Sequence, residues 1–270
     1  MSHRYIDATH NLYFRLDQEE WAEDLAKSGD ADITGYQEGS GGPQRTVLKE
    51  FCAAHNRGIY FPATSGNPIS WKKDVFSQVR IGGSLVRGAI TAHPGAVAMG
   101  LDASYNPERD FTWVGLTHKA SGKKVLRVNV HPLAGGTKKE SDPDNTDSDA
   151  LSEYKDWGLG QYWLDVVSFT AAQMSLQDRG PRAMTSLWDI VTLGGDYNAA
   201  MDNFGRWYYP APMLEPLFVH DKYLRGLDHL QHAYGADVRT ERRWAEAGNT
   251  DHALHFVERS ILDVPDFPRQ

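Results

Sequence analysis

Side chains that could bind a metal ion or a phosphate follow several apolar runs of this chain. In the clearest case, a strand-like segment over 188–193 ends at Gly194 and Gly195 and is followed by Asp196 and Asn198. Alternate side chains of an extended chain share a face, so Asp196 and Asn198 are expected to point the same way. A carboxylate beside a carboxamide suits the holding of a water or a metal ion next to a phosphate. A simple β-turn is the competing interpretation.

Residues of the same chemical kinds stand at the ends of other apolar runs. They are Asn11, Glu38, His131, Asp228, and Asp251 with His252. Acids without cysteine ligands favour a hard, oxygen-binding cation, Mg²⁺ or Mn²⁺, over zinc. A histidine beside such a cation can take a proton from water or shield a phosphoryl oxygen. These parts suffice for metal-assisted hydrolysis of a phosphoester, although each residue alone could be a cap, a turn or a solvated side chain.

Other motifs favour other chemistry only weakly. The histidine pairs that bound segments 229–232 and 252–255 suggest zinc, but positions i and i+3 lie on opposite faces of an extended segment. The glycine-rich segments 39–42 and 82–84 lack the Lys-Ser/Thr of a phosphate-binding P-loop, so both are interpreted as turns.

The elements that must position these residues alternate between helix and strand. Strands are predicted over 32–38, 58–62, 96–101, 111–116, 124–130 and 188–193. Amphipathic helices are predicted from Asp17 to Gly29, around 47–54 and over 163–174. Strands 111–116 and 124–130 flank Ser121-Gly122 and should form a hairpin. This order predicts an α/β fold with mixed sheets and helices outside.

Length and composition bound the class of protein. The chain has 270 residues, of which 40% are hydrophobic, so it can bury a large core. No linker divides it, and one domain over 1–270 is expected. Cys52 is the single cysteine, which excludes an intramolecular disulfide framework and fits a reducing compartment. Cys52 lies in a helical pattern and is interpreted as a core residue. No apolar stretch is long enough for a signal peptide or a membrane span, so a cytoplasmic protein without a membrane partner is expected.

The negative charge of the chain is concentrated in one segment. The formal net charge is −8, and residues 140–156 alone carry −6, from seven acids and one lysine. The rest of the chain is therefore close to −2, and the overall charge does not exclude a nucleic-acid partner. Residues 134–156 are rich in Gly, Asp, Ser and Pro and are predicted to form a polar, acidic surface loop.

The order of these motifs resembles the endonuclease/exonuclease/phosphatase superfamily, which includes deoxyribonuclease I, exonuclease III and neutral sphingomyelinase. Six short motifs carry the resemblance: Thr9-His10-Asn11, Gln37-Glu38, Asn129-Val130-His131, Gly195-Asp196-Tyr197-Asn198, Leu227-Asp228-His229 and Asp251-His252. Each motif is weak alone, but all six occur in order over nearly the whole chain. The resemblance implies a four-layer sandwich of two mixed β-sheets with flanking helices, with the site at one edge.

The resemblance also implies roles for the motif residues. Glu38 would be the principal metal ligand, Asp251 a further one, and Asn11 would help to hold the metal or the phosphate. Asp196 would orient or deprotonate the attacking water, and Asn198 would position the phosphate. His252, paired with Asp228, would act as a general acid or base or would stabilise the phosphate.

A histidine at position 131 is typical of the deoxyribonuclease I and sphingomyelinase branches. Pro132 departs from the pattern, in which leucine is common at this point, and leaves the surroundings of His131 open.

The function implied is that of a Mg²⁺-dependent phosphodiesterase, first of all a nuclease acting on DNA or RNA. A phosphatase or phosphodiesterase for inositol phosphates or phospholipid headgroups is the alternative, although the substrate-reading motifs of inositol phosphatases are not found. A catalytically silent binding protein on the same scaffold is the third possibility, and retention of all six motifs argues against it.

Overall fold

The structure is a computed structural model. The part of the chain that it describes contains twelve strands and three α-helices. Described are residues 3–39, 42–62, 65–86, 109–132, 149–175, 188–198, 218–220, 228–233, 238–244, 252 and 254–261. The strands of the first half are β1 His3–Asn11, β2 Ile33–Gln37, β3 Arg57–Tyr60, β4 Ile69–Lys72, β5 Phe76–Val86, β6 Arg109–His118 and β7 Lys124–Val130. Those of the second half are β8 Ile190–Asp196, β9 Phe218–His220, β10 Asp228–Ala233, β11 Val238–Trp244 and β12 His255–Ile261. The helices are α1 Gln18–Lys27, α2 Gly42–Ala54 and α3 Asp149–Ser175.

The strands form two six-stranded sheets. Sheet A has the order β11-β12-β1-β2-β4-β3, and sheet B has the order β5-β6-β7-β8-β10-β9. Each sheet contains one parallel pair, β1 with β2 in sheet A and β7 with β8 in sheet B, among antiparallel neighbours. Both sheets are therefore mixed, as predicted.

The layers follow the order helix, sheet, sheet, helix, and apolar side chains pack between them. Between the sheets, Tyr5 and Ile33 of sheet A pack in one cluster with Val114 and Leu116 of sheet B. The outer face of sheet A is covered by α1 and α2, whose buried residues form a second cluster that includes Cys52. The outer face of sheet B packs on α3 through residues such as Trp163. The predicted four-layer sandwich is confirmed, as is the assignment of Cys52 to the core, where burial raises its thiol pKa to about 11.

A buried ionic cluster also joins the two sheets. The Asp7 carboxylate on β1 accepts hydrogen bonds from Arg127 Nε of β7 at 2.8 Å and from Arg259 Nε of β12 at 3.1 Å. All three side chains are fully buried. Arg127 also donates to the carbonyl oxygens of Ala8 and Gly194. Because buried charges need partners, this cluster fixes the sheets relative to one another.

Several predicted elements have the expected bounds. Helix α1 begins with a capping box in which Asp17 accepts from Glu19 and Glu20 N–H groups and the Glu20 carboxylate accepts the Asp17 N–H. Strands β6 and β7 form the predicted antiparallel hairpin, and Gly122 takes a φ of +72° in its turn.

Two predictions are wrong, and three remain open. Residues 82–84, interpreted as a turn, lie within strand β5, where Gly82 is opposite Trp113 and a Cβ would meet that ring at 2.4 Å. Helix α3 begins at Asp149, so residues 149–156 are helical rather than part of an acidic loop. Acidic residues favour the first turn of a helix, which the compositional argument for a loop did not weigh. Residues 134–148 and the predicted strand 96–101 lie outside the described residues. One domain over 1–270 stays a prediction.

Candidate active site

The two parallel strand pairs bring four of the predicted site residues to one edge of the sandwich. In sheet A, Asn11 ends β1 opposite Gln37, and Glu38 follows directly. In sheet B, Val130 lies opposite Gly195, so His131 and Asp196 are the next residues on their strands. Parallel strands end at the same edge of a sheet, which explains how residues so far apart in sequence meet.

The amide of Asn11 lies at the centre of this group. Its Nδ2 donates to Glu38 Oε1 at 3.2 Å and to Asp196 Oδ2 at 2.9 Å, and it lies 3.4 Å from His252 Nε2. Its Oδ1 accepts the backbone N–H of Tyr13 at 3.0 Å. Asn11 therefore presents hydrogen-bond donors, not its oxygen, to the two carboxylates.

Glu38 is held by its backbone and by two hydrogen bonds. It has a left-handed φ of +62°, and its Oε2 accepts the backbone N–H of Phe14 at 2.9 Å while Oε1 faces Asn11. The carboxylate is thereby fixed at the mouth of the site.

Asp196 and Asn198 do not share the extended geometry that the sequence suggested. Strand β8 ends at Asp196, and Asn198 has a φ of +52°, a left-handed conformation that asparagine tolerates better than most residues. The Asn198 N–H donates to Asp196 Oδ1 at 2.7 Å, and its Nδ2 donates to the Pro132 carbonyl at 3.0 Å. Asn198 thus ties the end of β7 to the end of β8 and turns Asp196 Oδ2 toward the site.

Gly195 is required by a close approach between these strands. A Cβ at this position would lie 1.9 Å from the Val130 carbonyl oxygen, and the φ of +153° disfavours any side chain.

His131 is supported by a residue that the sequence did not indicate. Its backbone N–H donates to the Tyr162 hydroxyl of α3 at 3.0 Å, and that hydroxyl donates to the Asp110 carbonyl at 3.1 Å. Burial first, and then the positive charge of Arg109, lower the pKa of His131 to about 3. The imidazole is therefore neutral at neutral pH, and its contacts of 3.7 Å to Asp196 and 3.9 Å to Glu38 are not ion pairs.

His252 reaches the same group from the segment before β12. Its Nε2 lies 3.8 Å from Asp196 Oδ2 and, as noted, close to the Asn11 amide. Asp228 begins β10 directly opposite Asp196 in the antiparallel β8–β10 pair. Asp251 lies outside the described residues, so the structure brings together Asn11, Glu38, His131, Asp196 and His252.

Three of these side chains have the arrangement of a metal-binding group. Glu38, His131 and Asp196 each offer a ligand atom, and all three atoms lie within 4.8 Å of one another. Two carboxylates fit a hard divalent cation, and a neutral imidazole also has a free nitrogen lone pair. The donor set of this site therefore fits a divalent metal ion.

Backbone conformation marks the same place. The described residues other than glycine with positive φ are Tyr13, Glu38, Asn56 and Asn198. Glu38, Asn198 and Tyr13, whose N–H binds Asn11, all lie at this edge. Such conformations cost of order 1–3 kcal/mol each and concentrate at functional sites.

A buried pair of amides joins the sheets directly beneath the site. Gln37 Nε2 donates to Asn129 Oδ1 at 2.7 Å and to Thr9 Oγ1 at 3.1 Å. Asn129 Nδ2 in turn donates to the Tyr36 carbonyl at 2.7 Å. Gln37 precedes Glu38, and Asn129 stands two residues before His131, so we call Gln37 and Asn129 the amide bridge. It couples the placement of a residue on sheet A to that of one on sheet B.

Comparison with solved structures identifies this architecture. A protein from Bacteroides thetaiotaomicron described as an endonuclease/exonuclease/phosphatase family protein superposes with a TM-score of 0.58 at 16% identity, covering 98% of this chain and 100% of its own. The fold is that of the endonuclease/exonuclease/phosphatase proteins. A mannosyl-6-phosphatase of the same organism has a TM-score of 0.56 at 15% identity, covering 94% of this chain and 99% of its own.

ANGEL2, described as a 2′,3′-cyclic phosphatase, shares the endonuclease/exonuclease/phosphatase fold at a TM-score of 0.58 and 10% identity, with 96% of each chain covered. No protein-family model and no curated protein sequence matches the chain. Within the described residues, no helix has the length and apolar character needed to cross a membrane.

Proposed function

We propose that this protein is a metal-dependent phosphodiesterase, and specifically a nuclease that hydrolyses DNA or RNA with Mg²⁺ or Mn²⁺. The observation that carries the proposal is that three groups converge on Asn11 Nδ2. They are Glu38 Oε1 at 3.2 Å, Asp196 Oδ2 at 2.9 Å and His252 Nε2 at 3.4 Å. Two carboxylates, an amide donor and an imidazole around one point are the groups that hydrolysis of a phosphate ester needs.

Glu38 and Asp196 would hold the cation, with Asp251 as a further ligand. A bound divalent cation would stabilise the negative charge that develops on the phosphoryl oxygens. Asn11, whose N–H groups face the site, suits the phosphate rather than the cation.

The remaining groups suit the handling of water and protons. Asp196 Oδ2 faces the site while Oδ1 is held by the Asn198 N–H, so this carboxylate can orient the attacking water or take its proton. His252, with Asp228 as its partner, would act as general acid or base. His131 would offer its neutral imidazole to a phosphoryl oxygen or to the cation. Asn198 would position the phosphate indirectly, because its hydrogen bonds hold Asp196 and the Pro132 carbonyl in place.

A small phosphorylated molecule, such as an inositol phosphate or a lipid headgroup, is the second candidate substrate. The fold is shared by a protein named a mannosyl-6-phosphatase, so the scaffold accommodates substrates other than nucleic acid.

The test is incubation of the purified protein with supercoiled plasmid, single-stranded DNA, RNA and phosphoinositides, in Mg²⁺ or in EDTA. We expect metal-dependent cleavage of nucleic acid that is lost in His252→Ala and retained in His55→Ala, a control at an exposed histidine in the turn after α2. Phosphate release from phosphoinositides without cleavage would establish the second candidate. Binding to any of these without hydrolysis would identify a silent scaffold.

A further inference from the structure

Beside the candidate active site, the turn that follows β1 exposes an aromatic ring. Phe14 is 54% exposed, the highest value among the described large hydrophobic residues. Its backbone N–H donates to Glu38 Oε2 at 2.9 Å, so the residue that exposes the ring is bonded directly to the proposed metal ligand. Phe14 therefore borders the candidate active site.

Hydrogen bonds hold this turn on both sides. The Tyr13 carbonyl accepts from the Leu16 N–H at 3.1 Å and from Nε1 of the buried Trp21 at 3.2 Å. Gln44 of α2 donates to the carbonyl oxygens of Phe14 and Leu16, both at 3.4 Å. The exposure of Phe14 is thus imposed by a fixed turn, which also includes the left-handed φ of +50° at Tyr13.

A cation accompanies the ring. The Arg15 guanidinium carbon lies 5.4 Å from the centre of the Phe14 ring, and Arg15 is itself exposed. An aromatic face stacks on a nucleobase, and an arginine adds both cation–π attraction and a partner for a neighbouring phosphate. Inositol and sugar rings have no π-face, so they could meet the Phe14 ring only through C–H groups and would lack base stacking.

We propose that Phe14 and Arg15 form a subsite for the unpaired nucleotide next to the scissile phosphate. The inference rests on the proposed function and narrows it to single-stranded or locally unpaired nucleic acid, because a base inside a duplex has both faces already stacked. Phe14 would contact the base, and Arg15 would contact the flanking phosphate.

The experiment compares two oligomers of equal length and charge, a single-stranded oligodeoxynucleotide and the same backbone with abasic residues. For Phe14→Ala, we expect KM to rise about tenfold on the base-bearing oligomer and to stay unchanged on the abasic one. Phe14→Trp should restore KM. Arg15→Ala should weaken the binding of both oligomers equally. It should also reduce the salt dependence of that binding by about one released counterion. Val79→Ala, at a residue 47% exposed on β5, is the matched control.

An equal effect of Phe14→Ala on both oligomers, or no effect on either, overturns the subsite. If the wild-type protein cleaves neither oligomer with Mg²⁺ or Mn²⁺, single-stranded DNA is excluded as a substrate of the proposed function, and binding of the two oligomers by fluorescence anisotropy in EDTA then decides the subsite. A preference for the base-bearing oligomer that Phe14→Ala abolishes supports it. Equal binding of the two oligomers by the wild-type protein would exclude the subsite.

Discussion

At the scale of single residues, Glu38 is a site carboxylate whose position is constrained by its backbone and by both of its oxygens. Its left-handed backbone, the N–H of Phe14 and the amide of Asn11 together leave it one orientation at the mouth of the site. Pre-positioning of this kind lowers the cost of binding a cation, since the ligand need not be ordered at the moment of binding.

Replacement of Glu38 by glutamine should remove the charge and, because an amide NH2 group cannot accept, one of the two hydrogen bonds from Asn11 and Phe14. We expect Glu38→Gln to lower the rate of metal-dependent hydrolysis roughly 100-fold or more, since a catalytic cation contributes several kcal/mol. Mn²⁺ affinity from calorimetry and steady-state rates would check this. Glu19→Gln, at an exposed acid of α1, is the control. A Glu38→Gln variant with wild-type Mn²⁺ affinity and rate would show that the cation does not bind at Glu38.

The positions of the motif residues could be predicted from the sequence, but their supports could not. Asn11, Glu38, His131 and Asp196 follow apolar strands, and the parallel pairing of those strands makes them meet. Nothing near His131 points to Tyr162, which is 31 residues away on α3 and acts through one hydroxyl.

Asn198 shows a second limit of reading a site from its pattern. The motif indicated the place of Asn198 in the site. However, the alternation of an extended strand does not continue past Asp196, because Asn198 has a left-handed backbone conformation that turns the chain. Backbone conformation of this kind depends on the Pro132 carbonyl that Asn198 meets, which is remote in sequence.

At the scale of elements, the amide bridge decides how the ends of β2 and β7 lie relative to each other. Gln37 and Asn129 are both fully buried, and the bridge has little room. A Cβ on Gly35 would meet Asn129 Oδ1 at 2.5 Å, so glycine at 35 admits the bridge.

A double-mutant cycle with Gln37→Ala and Asn129→Ala tests this coupling. We expect each variant to lower the free energy of unfolding by about 1–3 kcal/mol, because each leaves buried amide or carbonyl groups unpaired. The two losses should be non-additive by about 0.5–3 kcal/mol, measured by urea denaturation.

Mn²⁺ affinity separates positioning from stability. It should fall in both bridge variants but not in Thr170→Ala, which removes a buried hydroxyl bonded within α3. Equal Mn²⁺ affinity in the bridge variants and in Thr170→Ala would show that the bridge serves stability alone.

At the scale of the whole molecule, buried neutral histidines make the fold sensitive to acid. Burial is the first cause that lowers the pKa of His10 and of His255 to about 4 in the folded protein. The unfolded chain has histidines near 6.5, so between pH 6.5 and 4 it binds more protons than the native state. Stability is therefore fully present above about pH 6.5 and declines as the pH falls toward 4.

The free energy of unfolding should fall by about 2 kcal/mol for each of these histidines between pH 7.5 and pH 5. His131, with a folded pKa of about 3, adds to the decline. Urea denaturation at the two pH values measures the change, and His10→Leu should make the pH dependence shallower. Equal stability at both pH values would mean that these rings are protonated in the native state.

The strand order of sheet A has a consequence for the nascent chain. Strand β1 lies in the middle of that sheet. One of its edges pairs with β2 and the other pairs with β12, with His3 opposite Ile261. On the ribosome, β1 can pair early with β2, but its other edge has no native partner until about 250 further residues have been made. Asn11 at the tip of β1 therefore gains its final surroundings late in synthesis, and until then an open strand edge must be kept from pairing with other chains.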